Sequence, residues 1–305
     1  VLAATAGCGV ISAEGEAAQQ ARVQRTVAAL TAAGDADSLA TAAALSSTDA
    51  YLPERAALLA RAAAAAPDRT DLAWLLLRVC FRDETCNLAS AEARLRALDP
   101  HNGAALVGSL LRQHRQLDPD EVGTLLARIA GSERYDLYWN PTIFHMADAI
   151  SRTRTMTAEQ AVAAANAIAY AVETLRFEAI AAACKGEALE KPARKASCRQ
   201  IAAVFRRSDT FITEVIGLML SLVVWPKDSA QYQEAHDQRR KIRYRMMMLA
   251  QLDSQHAGDE RYLRKYLERL SRYRTQQEAT LAALREAGVD PDPPADWKDP
   301  TPDTP

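Results

Sequence analysis

Val23, Val27 and Leu30 recur at the three- and four-residue steps of one helix face. They predict a first helix from about Glu16 to Ala33, ended by Gly34. A second, from about Asp37, carries Leu39, Ala43 and Leu45. Pro53 stands in the first turn of a third, which buries Leu58 and Leu59 and stops at Ala66-Pro67. Trp74 and Leu75 begin another helix, and Leu88, Ala91, Leu95 and Leu98 form the buried stripe of its partner. Asp118-Pro119 opens the next by the cap-then-proline rule, and it ends near Gly131. Pro141 to Arg152 reads as a helix, followed by a long one capped at Thr157 and running from Ala158 to about Cys184, with Val162, Ile168, Val172, Leu175 and Ile180 on its core stripe. Thr210 to Trp225 is the most apolar stretch; at 16 residues it is too short to span a bilayer and predicts a central buried helix. Segments of about 228–253 and 259–287 predict a closing hairpin around Gly258.

Composition agrees with this pattern. Gly (12) and aromatics (6%) are scarce and alanine is abundant, which favours helix and leaves few hairpin turns. The expected class is all-α: antiparallel helical hairpins over 16–132, an irregular helical bundle over 133–288, and a Pro/Asp-rich tail over 289–305. Residues 1–15 read as a signal remnant or tether. Net charge is -2, so no global field favours nucleic acid, and none is expected as a partner.

The segment Ala66-Pro67-Asp68-Arg69-Thr70 aligns with Asp99-Pro100-His101-Asn102-Gly103 at an offset of 33 residues. Leu98-Asp99-Pro100-His101-Asn102 resembles the turn that closes a tetratricopeptide repeat, whose period is about 34 residues. The resemblance covers roughly 53–130 and implies stacked helical pairs. No Gly-Tyr signature follows Trp74, and the period breaks after Leu117.

Cysteines add an address. Cys80 and Cys86 lie six positions apart and Cys184 and Cys198 fourteen, which suggests two local disulfides and an oxidising compartment. The alternative for Cys80 and Cys86 is a pair of buried free thiols. Cys8, in Thr5-Ala6-Gly7-Cys8, resembles a bacterial lipobox, which implies lipidation there and a membrane anchor. Gly9 after it resembles the pattern of outer-membrane sorting. With the Leu98–Asn102 turn and Pro293-Pro294-Ala295-Asp296-Trp297, the chain resembles the secreted, alanine-rich helical envelope proteins of proteobacteria. That resemblance implies a periplasmic, outer-membrane-anchored lipoprotein.

Two aromatic regions are candidates for partner binding. Tyr135, Tyr138 and Trp139 lie in the densest aromatic cluster, which reads either as an interaction platform or as a staple leading into the following helix. From His236 to Arg274 eleven Lys/Arg face five Asp/Glu, and Arg243, Arg245, Tyr262, Tyr266 and Tyr273 offer a basic aromatic face for nucleic acid, an anionic lipid surface, an acidic protein or simply solvent, with an envelope address arguing against nucleic acid. Trp297 is placed to pin the tail on the helices. The five histidines are scattered, with no metal-binding, nucleophile or phosphate-loop motif, so no cofactor and no catalytic residue is expected. The leading expectation is a non-enzymatic adaptor that binds another protein or peptide in the envelope. The alternatives are an immunity-type inhibitor lipoprotein and a cell-wall hydrolase built from scattered carboxylates.

Overall fold

The computed structural model describes residues 13–46, 52–81, 86–116, 118–173 and 177–299. Among these residues the chain is all-helical, with no strand and one isolated bridge between Asn102 and Arg134. The first part comprises α1 (Ala13–Ala33), α2 (Ala36–Leu45), α3 (Leu52–Ala65), α4 (Thr70–Cys80), α5 (Leu88–Leu98), α6 (Val107–Arg115) and α7 (Pro119–Ala130). The second comprises α8 (Trp139–Thr153), α9 (Ala158–Glu173), α10 (Glu178–Ala183), α11 (Pro192–Phe205), α12 (Phe211–Val224), α13 (Ala230–Gln255), α14 (Glu260–Arg272) and α15 (Gln276–Glu286).

Helix starts follow local chemistry. Asp35, Asn87, Asp118, Thr210, Ser229 and Asp259 each accept a backbone N–H of the helix they open, satisfying donors that have no intrahelical partner. Pro119 sits in the first turn of α7, where its missing N–H costs nothing.

Two predicted long helices are each described in two parts. In the stretch expected to be continuous from 158 to 184, α9 ends at Glu173 and α10 starts at Glu178; Leu175 lies outside the described residues. Phe177, between them, packs in an aromatic core with Tyr135 and Phe205, at ring-centroid distances of 6.2 and 5.6 Å. The stretch expected from 259 to 287 stops at Arg272. Tyr273 is extended, and Thr275 opens α15 with a reciprocal capping box to Glu278.

Consecutive helices α1 to α5 pack each on the next, α7 lies on α11, and α8 packs on α1, α2, α9 and α14. Two large apolar clusters result. One joins Trp74, Leu95, Leu110 and Ile129 to Tyr135, Ile201 and Phe205. The other joins Leu39, Leu59 and Leu72 to Trp139, Ile143, Met146 and Leu270. Both draw on residues from either side of position 132. At the 33-residue offset, Trp74 lies within α4, but its counterpart Val107 is the first residue of α6, after a 3-10 turn over Gly103–Leu106.

The apolar helix α12 is buried as expected except at two positions. It packs on α11 and α13, yet Met219 and Val223 are 44% and 57% exposed. Eight of its residues are buried, Leu220 and Val224 in the largest apolar cluster and Phe211 and Leu218 in another, so it is a core helix from which Met219 and Val223 reach solvent.

Candidate functional site

Arg134 to Tyr138 connects α7 and α8 without regular structure and is gripped from both sides. On one side Gly103 N–H donates to the Arg134 carbonyl (2.9 Å). Asn102 Oδ1 accepts Asp136 N–H (3.0 Å), and Asn102 Nδ2 donates to the Asp136 carbonyl (2.9 Å) and to Tyr138 Oη (3.0 Å). On the other side the Asp209 carboxylate accepts the N–H groups of Leu137 and Trp139, both at 2.8 Å. Tyr138, between those two amides, is held at φ 56°, a left-handed conformation that is strained for a bulky side chain. Its hydroxyl donates to Asp99 (2.7 Å), so contacts on both flanks and at the ring tip fix it.

The connection between α14 and α15 joins the same junction. Gln276 N–H donates to the Asp209 carbonyl, Asn140 Nδ2 to the Tyr273 carbonyl, and Phe211 N–H to Gln276 Oε1, all at 2.9–3.0 Å. Burial pushes the Asp209 carboxyl up to about 7, with the Asp136 charge adding to the rise. Burial likewise raises Asp136, opposed by the guanidiniums of Arg274 and Arg134, which pair with it. These carboxylates are engaged in fastening loops, and the fastening is what the cluster does chemically.

Of the aromatic residues read as a partner platform or a staple, Tyr135 and Trp139 are packed inside and Tyr138 is half-buried. Tyr135 is fully buried against Phe205, with centroids 4.5 Å apart, and Trp139 is buried with Tyr170 edge-on at 4.8 Å. Their rings complete the core because Asn102 and Asp209 pin the backbone that carries them. Tyr262, Tyr266 and Tyr273 do not share one open face. Tyr262 donates to Asp253 (2.7 Å) and stacks on His256, whereas Tyr266 donates to Asn166 (2.9 Å) and ties α14 to α9. Tyr273 lies past the end of α14.

The basic face of α13 carries the chain's own tail. Arg240 Nη2 donates to the carbonyls of Pro294 (2.7 Å) and Trp297 (3.0 Å). Arg245 donates to the Pro291 carbonyl (3.0 Å) and to Asp292 (3.1 Å), Lys241 lies 3.7 Å from Asp292, and Arg243 pairs with Asp299. The Trp297 ring meets Tyr244 edge-on at 5.4 Å, under Arg240. Arg243 and Arg245 are thus tail-binding residues.

Two further features escaped sequence reasoning. On α12, Ile212, Ile216, Met219 and Val223 recur at helical steps, the first two half-buried and the last two exposed. A cleft of about 390 Å³ is lined by Ala203, Arg206, Arg207, Glu214 and Gln238. Burial raises the Glu214 carboxyl, which accepts Gln277 Nε2 (2.8 Å) and Gln238 Nε2 (3.2 Å); Arg206 pairs with Glu234. Among the described residues no group of three or more His, Cys, Asp or Glu is placed to hold a metal ion.

Cys80–Cys86 and Cys184–Cys198 are disulfides, with Cα separations of 5.0 and 5.7 Å. The second ties the end of α10 to α11 within the buried core. Cys8 lies outside the described residues. Among the described residues no helix is long and apolar enough to cross a membrane. Fold and sulfur chemistry together define a disulfide-bonded all-α protein, compatible with an oxidising, extracytoplasmic setting. No family model, curated protein or solved structure matches the chain.

Proposed function

We propose that this protein is a non-enzymatic adaptor of the bacterial cell envelope that binds another protein through the side of α12 that Met219 and Val223 expose. The observation that carries the reading is the Ile212–Ile216–Met219–Val223 stripe: the two isoleucines are partly buried against the core, and Met219 and Val223 stand 44% and 57% exposed. An amphipathic partner helix laid along such a stripe would bury it, and methionine adapts well to a partner's shape. The two disulfides support the envelope setting, and lipidation at Cys8 would anchor the protein there.

The test is affinity capture from detergent-solubilised envelope, comparing the wild type with a Met219→Glu/Val223→Glu variant of matched helicity. The adaptor reading expects a stoichiometric partner with the wild type and its loss with the variant. Equal capture by both, or none by either, contradicts it.

A cell-wall hydrolase remains the second reading, favoured by one observation: Glu214, raised by burial, lines a cleft. Glycoside hydrolysis needs two carboxylates across the bond, and the cleft lining supplies one. Release of soluble fragments from purified cell wall, abolished by Glu214→Gln, would establish that reading over the first.

A further inference from the structure

The contact between α13 and the tail has the form of peptide recognition. Four main-chain carbonyls, of Pro291, Pro294, Ala295 and Trp297, accept from Arg240 or Arg245. Such contacts read the main chain and leave its side chains largely unspecified; the segment bends at 291–292 and turns over 294–297, where Trp297 N–H donates to the Pro294 carbonyl (3.0 Å). Specificity comes from three further points: Asp292 between Lys241 and Arg245, Asp299 at Arg243, and Trp297 against Tyr244. Pro291, Pro293 and Pro294 restrict the backbone of the free segment and so reduce the entropy lost on docking.

The same contact is weakly anchored. No residue from Asp290 to Asp299 is buried; Trp297, the largest, stays half-buried. The segment holds four Asp and one Lys against a basic helix, and Asp292 and Asp299 pair with that helix. Attraction between partly exposed charges is screened by salt and open to competition.

We propose that this face of α13 is a binding site for an acidic, proline-containing segment of a partner protein that turns before an aromatic anchor, and that residues 290–299 are its resident intramolecular ligand. The partner segment displaces the tail by occupying the same arginines. This site is separate from α12 and stands whether or not the α12 stripe binds a partner.

A fluorescent peptide of residues 288–299 serves as the probe, titrated by anisotropy into the full-length protein. The wild type should bind it weakly, because its own tail competes. A full-length Asp292→Asn/Trp297→Ala variant, with its resident weakened, should bind about tenfold more tightly, since the site is open for a larger fraction of the time. Binding should fall away near 1 M salt, where the Debye length is about 3 Å. It should also be lost when Arg240→Glu/Arg245→Glu is added to the weakened chain. As a control independent of protein folding, the peptide carrying Asp292→Asn, Trp297→Ala and Asp299→Asn should bind neither form. The proposal is overturned if the weakened chain binds no better than the wild type, or if the altered peptide binds equally well. Self-association of the wild type that the peptide abolishes would also overturn it, by making a second copy's tail the occupant.

Discussion

At the scale of single residues, Asp209 fastens its own segment to two others, through Leu137 and Trp139 and through Gln276. One carboxylate takes two amides, fixes Tyr138 at a positive φ between them, and so aims Tyr135 and Trp139 into separate apolar clusters. Asp209→Asn turns an NH2 toward one of those amides and should cost about 1–3 kcal/mol. The folded protein keeps the Asp209 proton up to about 7, whereas an unfolded aspartate loses it near about 4. Between those values the folded state binds more protons, so stability should fall as pH rises from about 5 to 7.5. Asp136 and Glu214, raised by burial, act in the same direction, so the Asn variant should show a shallower slope, not a flat one. Asp35 and Asp37, whose bonds to Ser38 and to His145 and Arg69 outweigh burial and lower them, act only at more acid pH. Urea midpoints across that range check the sign; a midpoint that rises with pH would contradict this role for Asp209. The sequence carried only a faint trace of it. In Ser208-Asp209-Thr210, Thr210 takes the cap of α12, leaving an aspartate with no local task before an apolar helix.

At the scale of elements, periodicity located most helices, and caps located their starts. Asp118-Pro119 and the Thr157, Thr210 and Gly131 boundaries are all local chemistry, readable from a few neighbours. A break that serves a tertiary contact was not readable. Tyr273 leaves the helical path to meet Asn140 across the fold. Nor does an apolar run say which of its residues stay uncovered, and α12 exposes Met219 and Val223, expected in the core. Its contact with α11 is tight at Gly217, where an added Cβ would lie 2.8 Å from Phe205 Cβ and 2.9 Å from the Ala202 carbonyl. Gly217→Ala should therefore destabilise by about 1–3 kcal/mol through overpacking, despite the better helix propensity of alanine. Thr275→Ala should cost about 1 kcal/mol by removing the cap that restarts α15. Denaturant unfolding of each variant gives both values; a stabilised Gly217→Ala would show that α11 and α12 are less closely packed.

At the scale of the molecule, sulfur spacing was informative because both pairs are local in sequence, and short loops leave few ways to pair. Closing a loop of about 15 residues is worth about 3 kcal/mol in the chain-entropy account, so Cys184→Ser/Cys198→Ser should lower stability by roughly that amount. The 33-residue offset was a weaker guide: it relates a full helix at α4 to a 3-10 turn and short α6, because Asn102 is diverted to hold the Arg134–Tyr138 strap. Binding surfaces were the least legible feature, since exposure is a property of the assembled whole. The basic helix was visible as charge, but its pairing with the acidic tail needed the fold to bring residues 240–245 and 291–299 together. The central claim is that α12 is the face a partner covers. A photo-crosslinking residue at position 223, irradiated in the cells that make the protein, tests it most directly, with exposed Glu159 as the control position. The account predicts one discrete protein adduct from 223 and none from 159; no adduct, or the same adducts from both, would contradict it.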